Sequence, residues 1–404
     1  MMSLFLLTFF LFYGCAHLYF FLKVKAATPL GILSGLCLAL FLLFMVLAPV
    51  LVRVLEKEGL EAIARVLAYV GYLWMGFLFL FFSASLAIDT YHGVLYAAGF
   101  ISNRDFTALT PKQHTALVLT LAWGTLTACY GYFEARDIRT ERIVINTPKV
   151  PRAVGKLTIV QISDVHLGLI VRGKRLKRII AEIMVAAPDI LVSTGDLVDG
   201  QINRMEGLAE LMQDIRPRFG KFAVTGNHEV YAGLNQALGF TERAGFKVLR
   251  GDSVAAGGLI NVIGVDDPVI ERVTRAGRTP EETLLSNVSH DRFTLLLKHR
   301  PVVNRESHGL FDLQLSGHVH KGQICPFNLV THLFYPVKMG YSLYPQNFAL
   351  YVSRGTGTWG PPIRFLAPPE ITVIELRHHN QADLRFVCGP EKNNSIVNSN
   401  NMIG

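Results

Sequence analysis

Three stretches in the second half of the chain decide its fold: 157-LTIVQISDVH-166, 189-DILVSTGDLVD-199 and 221-KFAVTGNHE-229. Each opens with a short apolar run rich in β-branched residues and closes on a turn of Gly, Asp, Asn and His. Amphipathic stretches around Arg175 to Val185 and from about Met205 to Ile215 separate them. Strand-length apolar runs alternating with helical pattern predict βαβ units and parallel strands. Further apolar runs at Leu259 to Val265, Phe293 to Leu297, Leu313 to Ser316, Ala349 to Ser353 and Ile371 to Leu376 have fewer helices between them. Part of the sheet structure is therefore expected to be mixed or antiparallel.

Two more fragments end predicted strands in the same way, KH at Lys298 and His299 and GHVH from Gly317 to His320. Open α/β sheets gather ligands beyond the carboxyl ends of their strands, which is where all five fragments fall. The two-residue spacing in DVH and HVH puts both side chains on one side of an extended segment, facing one cavity. Gly195, Gly226 and Gly317 suit the tight turns that follow. A single Asp or His at a strand end is weak evidence; five such fragments in order point to a metal centre. Carboxylate, amide and imidazole donors without thiolate suit Mn, Fe or Zn. Asp199 and Glu229 read equally well as orienters of the ligands and as surface carboxylates.

This set, in this order, resembles the calcineurin-like metallophosphoesterase superfamily over about residues 155 to 378. GHVHKGQ at Gly317 to Gln323 and YVSRGTGTWGPPIRFLAPPEI from Tyr351 to Ile371 are most similar to its membrane-anchored bacterial phosphodiesterase branch. The resemblance implies a four-layer α/β/β/α sandwich and two divalent metal ions. One would be held by Asp164, His166 and His320, the other by Asn227, His299 and His318, with Asp196 bridging them and His228 as the acid–base residue. A bridging carboxylate keeps two cations roughly 3.5–4 Å apart, close enough to share an attacking hydroxide and clamp an in-line displacement at phosphorus. The leaving oxygen then needs a proton, a role suited to a histidine.

Before residue 134 the chain changes character. Half of all residues are hydrophobic, and only seven of the 39 basic and five of the 31 acidic residues fall in this part. Uncharged stretches from Met1 to Leu22, Ala26 to Val52, Val66 to Ile88 and Thr115 to Phe133 are each long enough to span a hydrocarbon core as a helix. A cleaved signal peptide is the alternative for the first, but the run is too long and lacks a basic start. Residues 1–133 are thus expected to form a four-helix transmembrane region, 134–154 a charged linker, 155–389 the catalytic domain and 390–404 a disordered, Asn-rich tail. Arg53, Lys57, Arg65, Arg136, Arg139, Arg142, Lys149 and Arg152 outnumber Lys23, Lys25, Arg104 and Lys112 on the opposite side, so the positive-inside bias puts the domain in the cytoplasm, at a bacterial inner membrane.

The remaining 32 basic and 26 acidic residues give a modest surplus, which suits an anionic substrate or membrane surface and no nucleic-acid footprint. Five scattered cysteines form no disulfide framework or zinc pattern. Near-absence of ionisable residues in the spans, His17 apart, argues against a transporter. The aromatic, proline-broken stretch from Ile324 to Gln346 could meet an acyl chain or the bilayer, or pack as a satellite core. The run from Val171 to Arg178 reads as a solvated helix face or a headgroup contact. Arg354 and Arg364 flank Gly355 to Gly360 and are candidate substrate-binding guanidinia, with internal ion pairing as the alternative. The expected function is metal-dependent hydrolysis of a phosphate ester or anhydride by a phosphodiesterase or pyrophosphatase, on a small-molecule or lipid substrate. Its family includes pyrophosphate hydrolases acting on UDP-diacylglucosamine. The alternatives are a nucleotide phosphodiesterase and a non-catalytic membrane sensor or scaffold of the same fold.

Overall fold

The computed structural model describes residues 2–200, 205, 207–274 and 279–380. The expected tail and the expected domain end at 389 lie outside them. The chain divides into a helical unit and a catalytic unit.

In the helical unit the uncharged stretches form α1 (Met2–Ala27), α2 (Ile32–Lys57), α3 (Glu61–Ser102) and α4 (Gln113–Glu134), all long and apolar enough to cross a membrane. Helix α3 runs well past the expected span. Its 42 residues extend about 63 Å at 1.5 Å per residue, twice a bilayer core. No proline interrupts residues 89–102, and the helix stops only at Asn103, whose φ of 51° is left-handed. Several polar groups in these helices are paired. The Tyr19 hydroxyl donates to Asp89 at 2.5 Å, Lys23 pairs with the same carboxylate, and the Trp74 indole donates to His17 Nε2 at 2.9 Å.

Two segments from far along the chain, Ile324–Pro326 and Trp359–Leu366, belong to this helical unit. Ile324 and Ile363 share a small core with Leu80. The Arg364 N–H donates to the Gly131 carbonyl at 2.9 Å. Glycine is required there, because a Cβ on Gly131 would lie 2.4 Å from Ile363 Cγ2, and one on Gly76 would lie 2.7 Å from Ile363 Cδ1. Arg364, a candidate substrate ligand by sequence, is fully buried.

The catalytic unit holds β1 (Arg139–Thr147), β2 (Lys156–Ile162), α5 (Gly173–Ala186), β3 (Ile190–Ser193), α6 (Leu208–Gln213), β4 (Lys221–Ala223), α7 (His228–Tyr231), α8 (Leu234–Arg243) and β5 (Lys247–Val248). It continues through β6 (Asp252–Ala256), β7 (Ile260–Gly264), α9 (Pro268–Thr274), α10 (Glu281–Ser286), β8 (Phe293–Leu297), β9 (Leu313–Ser316), α11 (Phe327–Phe334), β10 (Gly340–Tyr344), β11 (Phe348–Val352) and β12 (Glu370–His378). Two six-stranded mixed sheets result, ordered β1-β12-β2-β3-β4-β5 and β10-β11-β9-β8-β7-β6.

Strand alternation builds the layers. Leu157 and Ile159 of β2, Phe293, Leu295 and Leu297 of β8, and Ile143 and Ile145 of β1 fill the core between the sheets. Val160 and Ile162 point the other way, onto Leu176, Ile179 and Ile183 of α5 and Met212 of α6. Leu296 faces outward against Leu285 of α10. The layers run α/β/β/α. Residues 134–154 are more than the expected linker, since β1 pairs in parallel with β12 along its whole length. Arg139, Glu141 and Arg142 crowd its first half and hide the period of two that Ile143, Ile145 and Thr147 show in the second, as is common on edge strands.

The Gly131→Val variant should expel residues 359–366 from the helices. Limited trypsin digestion should then cut after Arg364 in the variant while the parent chain resists there.

Candidate metal centre

Strands β2, β3, β4, β8 and β9 end two to four residues before Asp164, Asp196, Asn227, His299 and His318 respectively. The turns that follow are unusual. Asp164, His166, Asp196, His318 and His320 all have φ between 47° and 72°, the left-handed region that non-glycine residues seldom occupy. Their side chains converge as three overlapping sets: Asp164, His166 and His320; His166, Asp196 and His228; and Asp196, His299 and His318. Within each set the ligand atoms lie within 4.8 Å of one another.

The individual distances fix the arrangement. His320 Nε2 lies 3.4 Å from Asp164 Oδ1 and 3.1 Å from His166 Nε2. His299 Nε2 lies 3.2 Å from Asp196 Oδ2 and 3.1 Å from His318 Nδ1. Asp196 Oδ2 is also 3.9 Å from His166 Nε2, so this carboxylate stands between the two groups. The Asn227 side chain is buried, and its Oδ1 has no hydrogen-bond partner; the same holds for His166 Nδ1. Ring nitrogens facing each other and an orphaned amide oxygen are a donor set that divalent cations satisfy, and the N and O chemistry fits a borderline metal.

The frame around these donors is made of backbone N–H groups and small residues. Glu229 is buried and accepts from the N–H of Asp196 at 3.1 Å, Leu197 at 2.8 Å and Gly226 at 2.7 Å. It holds the Asp196 and Asn227 turns together rather than orienting a histidine. Asp164 accepts from Ser163 Oγ and from the His318 N–H at 3.0 Å. The His299 Nδ1 hydrogen goes to the Thr194 carbonyl at 2.8 Å, which turns Nε2 toward Asp196. Of the three motif glycines only Gly195 needs a positive φ. Gly226 and Gly317 are required for space, because a Cβ would sit 2.2 Å from Asp196 Oδ1 in the first case and 2.2 Å from Asp164 Oδ2 in the second.

Electrostatics separate the histidines. Burial pushes His166 down to about 4 and His318 down to about 3, leaving neutral imidazoles with lone pairs to offer. Burial also opposes charge on His299 and His228, but Asp196 outweighs it at both, lifting His299 to about 10 and His228, with help from Asp199, to about 9. His228 Nδ1 donates to Asp199 Oδ1 at 2.9 Å, and its backbone N–H donates to Asp196 Oδ1 at 2.8 Å. Its imidazole packs edge-on to His166, with ring centroids 4.6 Å apart.

Of the sequence-predicted site residues, Asp164, His166, Asp196, Asn227, His228, His299, His318 and His320 meet in this cleft. Arg354 is used elsewhere. Arg354 Nε lies 2.8 Å from Glu370 Oε2, and its Nη2 lies 2.5 Å from Glu141 of β1, so its guanidinium ties the edge strand to its neighbour. Lys298 of the KH fragment is likewise internal, 2.8 Å from Glu281. Sequence reasoning passed over Arg300, immediately after His299, which a bidentate pair with Asp267 at 2.7 and 3.2 Å holds half-exposed. A guanidinium following a ligand histidine was the available signal.

The calcineurin-like phosphoesterase profile matches residues 157–322. An uncharacterised metallophosphoesterase of Aquifex aeolicus is 37% identical over 253 residues, covering 62% of this chain and 97% of that protein. The chain belongs to the metallophosphoesterase family. A Helicobacter pylori metallophosphoesterase is 31% identical over 75% of this chain and 81% of its own length. A zebrafish (Danio rerio) transmembrane protein with a metallophosphoesterase domain is 30% identical, over 64% of this chain and 62% of its own length. This metallophosphoesterase is therefore a phosphoester hydrolase carrying four helices apolar enough to span a membrane.

Arg354→Met should destabilise the catalytic unit by about 3 kcal/mol, since Glu370 would be left buried without its counter-charge. Turnover well below the melting temperature should stay near the parent value. Glu229→Ala should weaken metal binding about 10- to 100-fold, measured by competition with a chromogenic chelator, as loss of a ligand-orienting partner typically does.

Proposed function

We propose that this metallophosphoesterase is a membrane-anchored phosphohydrolase with two divalent cations, cleaving a phosphodiester or pyrophosphate whose organic part is amphiphilic. The observation that carries the reading is the convergence of Asp164, His166 and His320 on one side of Asp196 and His299 and His318 on the other. Asn227 completes the second group with its orphaned oxygen. When bound, two cations in such a site supply an activated water and neutralise the charge that builds on the phosphoryl oxygens.

The chain's own residues do the rest. Asp196 holds the two donor groups in register, and Glu229 holds Asp196. His228, carrying no ligand duty in this reading, keeps a proton because Asp196 and Asp199 favour its charged form. Asp199 aims that imidazole by occupying Nδ1, which leaves Nε2 to give its proton to the departing oxygen. An amphiphilic substrate is supported by the short connection between α4, ending at Glu134, and β1, starting at Arg139. The excess of basic residues flanking that connection favours a cytoplasmic catalytic unit, and the bacterial relatives favour an inner membrane. Mn, Fe and Zn all suit the donor set.

Metal analysis of the purified full-length chain, with hydrolysis of bis-p-nitrophenyl phosphate under Mn, Fe or Zn, tests the reading. Asp196→Asn should lose both metal and turnover. His228→Ala should keep its metal and lose about 10²- to 10⁴-fold on substrates with alkoxide leaving groups, and far less on nitrophenyl esters, which need no proton. Unchanged turnover in both variants, or a parent chain that takes up no metal, would overturn it and favour a non-catalytic sensor.

A further inference from the structure

Helix α11 (Phe327–Phe334) is mainly apolar, yet none of its residues is buried. Phe327, Leu329, Val330, Leu333 and Phe334 are between 43% and 80% exposed, with Leu333 highest. At 100° per residue these five fall within about 160° of arc, while Asn328, Thr331 and His332 occupy the opposite side. On the polar side Asn328 and Thr331 are partly buried against the protein. A Cβ on Gly322, two residues past His320, would come within 2.5 Å of the Asn328 backbone, so the turn carrying His320 sits directly on the first turn of α11. Tyr335, the residue after the helix, packs edge-on against His318 with ring centroids 5.4 Å apart. A helix with its polar side on the metal turn and its apolar side facing outward has the geometry of one lying in a membrane interface.

We propose that α11 is a monotopic membrane helix that seats the metal turn against a lipid bilayer, which deepens the amphiphilic-substrate reading above and in part rests on it. The bilayer is favoured as occupant on three grounds. Pro326, the residue immediately before α11, belongs to the helical unit whose four helices can span a membrane. Lys338 Nζ lies 3.4 Å from the Asn328 carbonyl, so a cation stands beside the helix, which suits anionic headgroups. The footprint of a helix about 12 Å long and 10 Å wide falls well short of the roughly 800 Å² per partner that a stable protein interface buries.

Photo-crosslinking of the full-length chain in phosphatidylethanolamine–phosphatidylglycerol nanodiscs tests this, with benzoylphenylalanine placed at Leu333 and, as control, at exposed Lys247 of β5. The expected result is a lipid adduct at 333 and none at 247. A crosslink to a second copy of the chain, or no lipid adduct at 333, overturns the proposal. A second arm compares Leu333→Glu/Phe334→Glu with the parent on a diester borne in the nanodisc and on soluble bis-p-nitrophenyl phosphate. Loss should be at least about tenfold on the first, since burial of either side chain is worth more than a tenfold partition, and negligible on the second. Equal loss on both substrates would make α11 merely structural. If the parent hydrolyses neither substrate, the catalytic reading fails, and the adduct at 333 still decides the helix.

Discussion

The Asp196 carboxylate is the constraint on which the rest of the centre depends. It is buried, lies 3.2 Å from His299 and 3.9 Å from His166, and accepts the His228 N–H. Burial alone would push its pKa up, but His299 and His228 hold it well below the ordinary carboxylate value. A charge so placed must be tied down, because an ion free to turn inside a protein loses the partners that offset its desolvation. The tie is Glu229, which takes the N–H groups of Asp196, Leu197 and Gly226 onto one carboxylate. Those N–H groups belong to the turns after β3 and β4, so the parallel pairing of the two strands and the placement of Asp196 and Asn227 are one structural fact.

The same logic accounts for the backbone. Five of the ligand-type residues hold left-handed φ values, each at a cost of order 1–3 kcal/mol. Such conformations persist only where the surroundings over-determine them. Here the strands before these turns are buried, apart from Lys156 at the start of β2: β2 and β3 between α5 and the inter-sheet core, β8 and β9 in the second sheet. Gln161 bonds across the sheets to Thr194 Oγ1 and the Ser316 carbonyl, joining the ends of β2 and β9 just before their strained turns. The sheets supply the stability; the turns supply the convergence.

This division explains what was legible in the sequence. The ligands were readable because each follows an uninterrupted apolar run, and strand ends in an α/β fold bring such residues together whatever the loops do. The layer order came from the family resemblance, and the runs alone gave only the βαβ units and a mixed sheet. Strand β1 was not readable, since Arg139, Glu141 and Arg142 fill its first half and leave a two-residue period that only Ile143 and Ile145 reveal. The reach of α3 beyond a membrane span was missed because Asp89 ends the uncharged run without ending the helix. Arg354 looked like a phosphate ligand beside a glycine-rich turn, and only the tertiary pairing with Glu141 and Glu370 shows where its charge is used. Gly226 and Gly317 were correctly singled out for a reason that holds only at Gly195. Their function is to let carboxylates approach, which no local pattern encodes.

The segment after β11 gives the helical unit a part beyond anchoring. Thr356 and Gly357 donate to the carbonyls of Ser163 and Asp164 at 2.7 and 3.0 Å, bracing the first strained turn of the metal centre. Room for a side chain is absent there, because a Cβ on Gly357 would meet the Val165 carbonyl at 2.0 Å. Two residues later, Trp359 begins the stretch whose Ile363 and Phe365 pack among α3 and α4. One short run of backbone thus has its start fixed by the turn holding Asp164 and its end fixed by membrane-capable helices. Removing those helices would leave Ile363 and Phe365 without their packing partners.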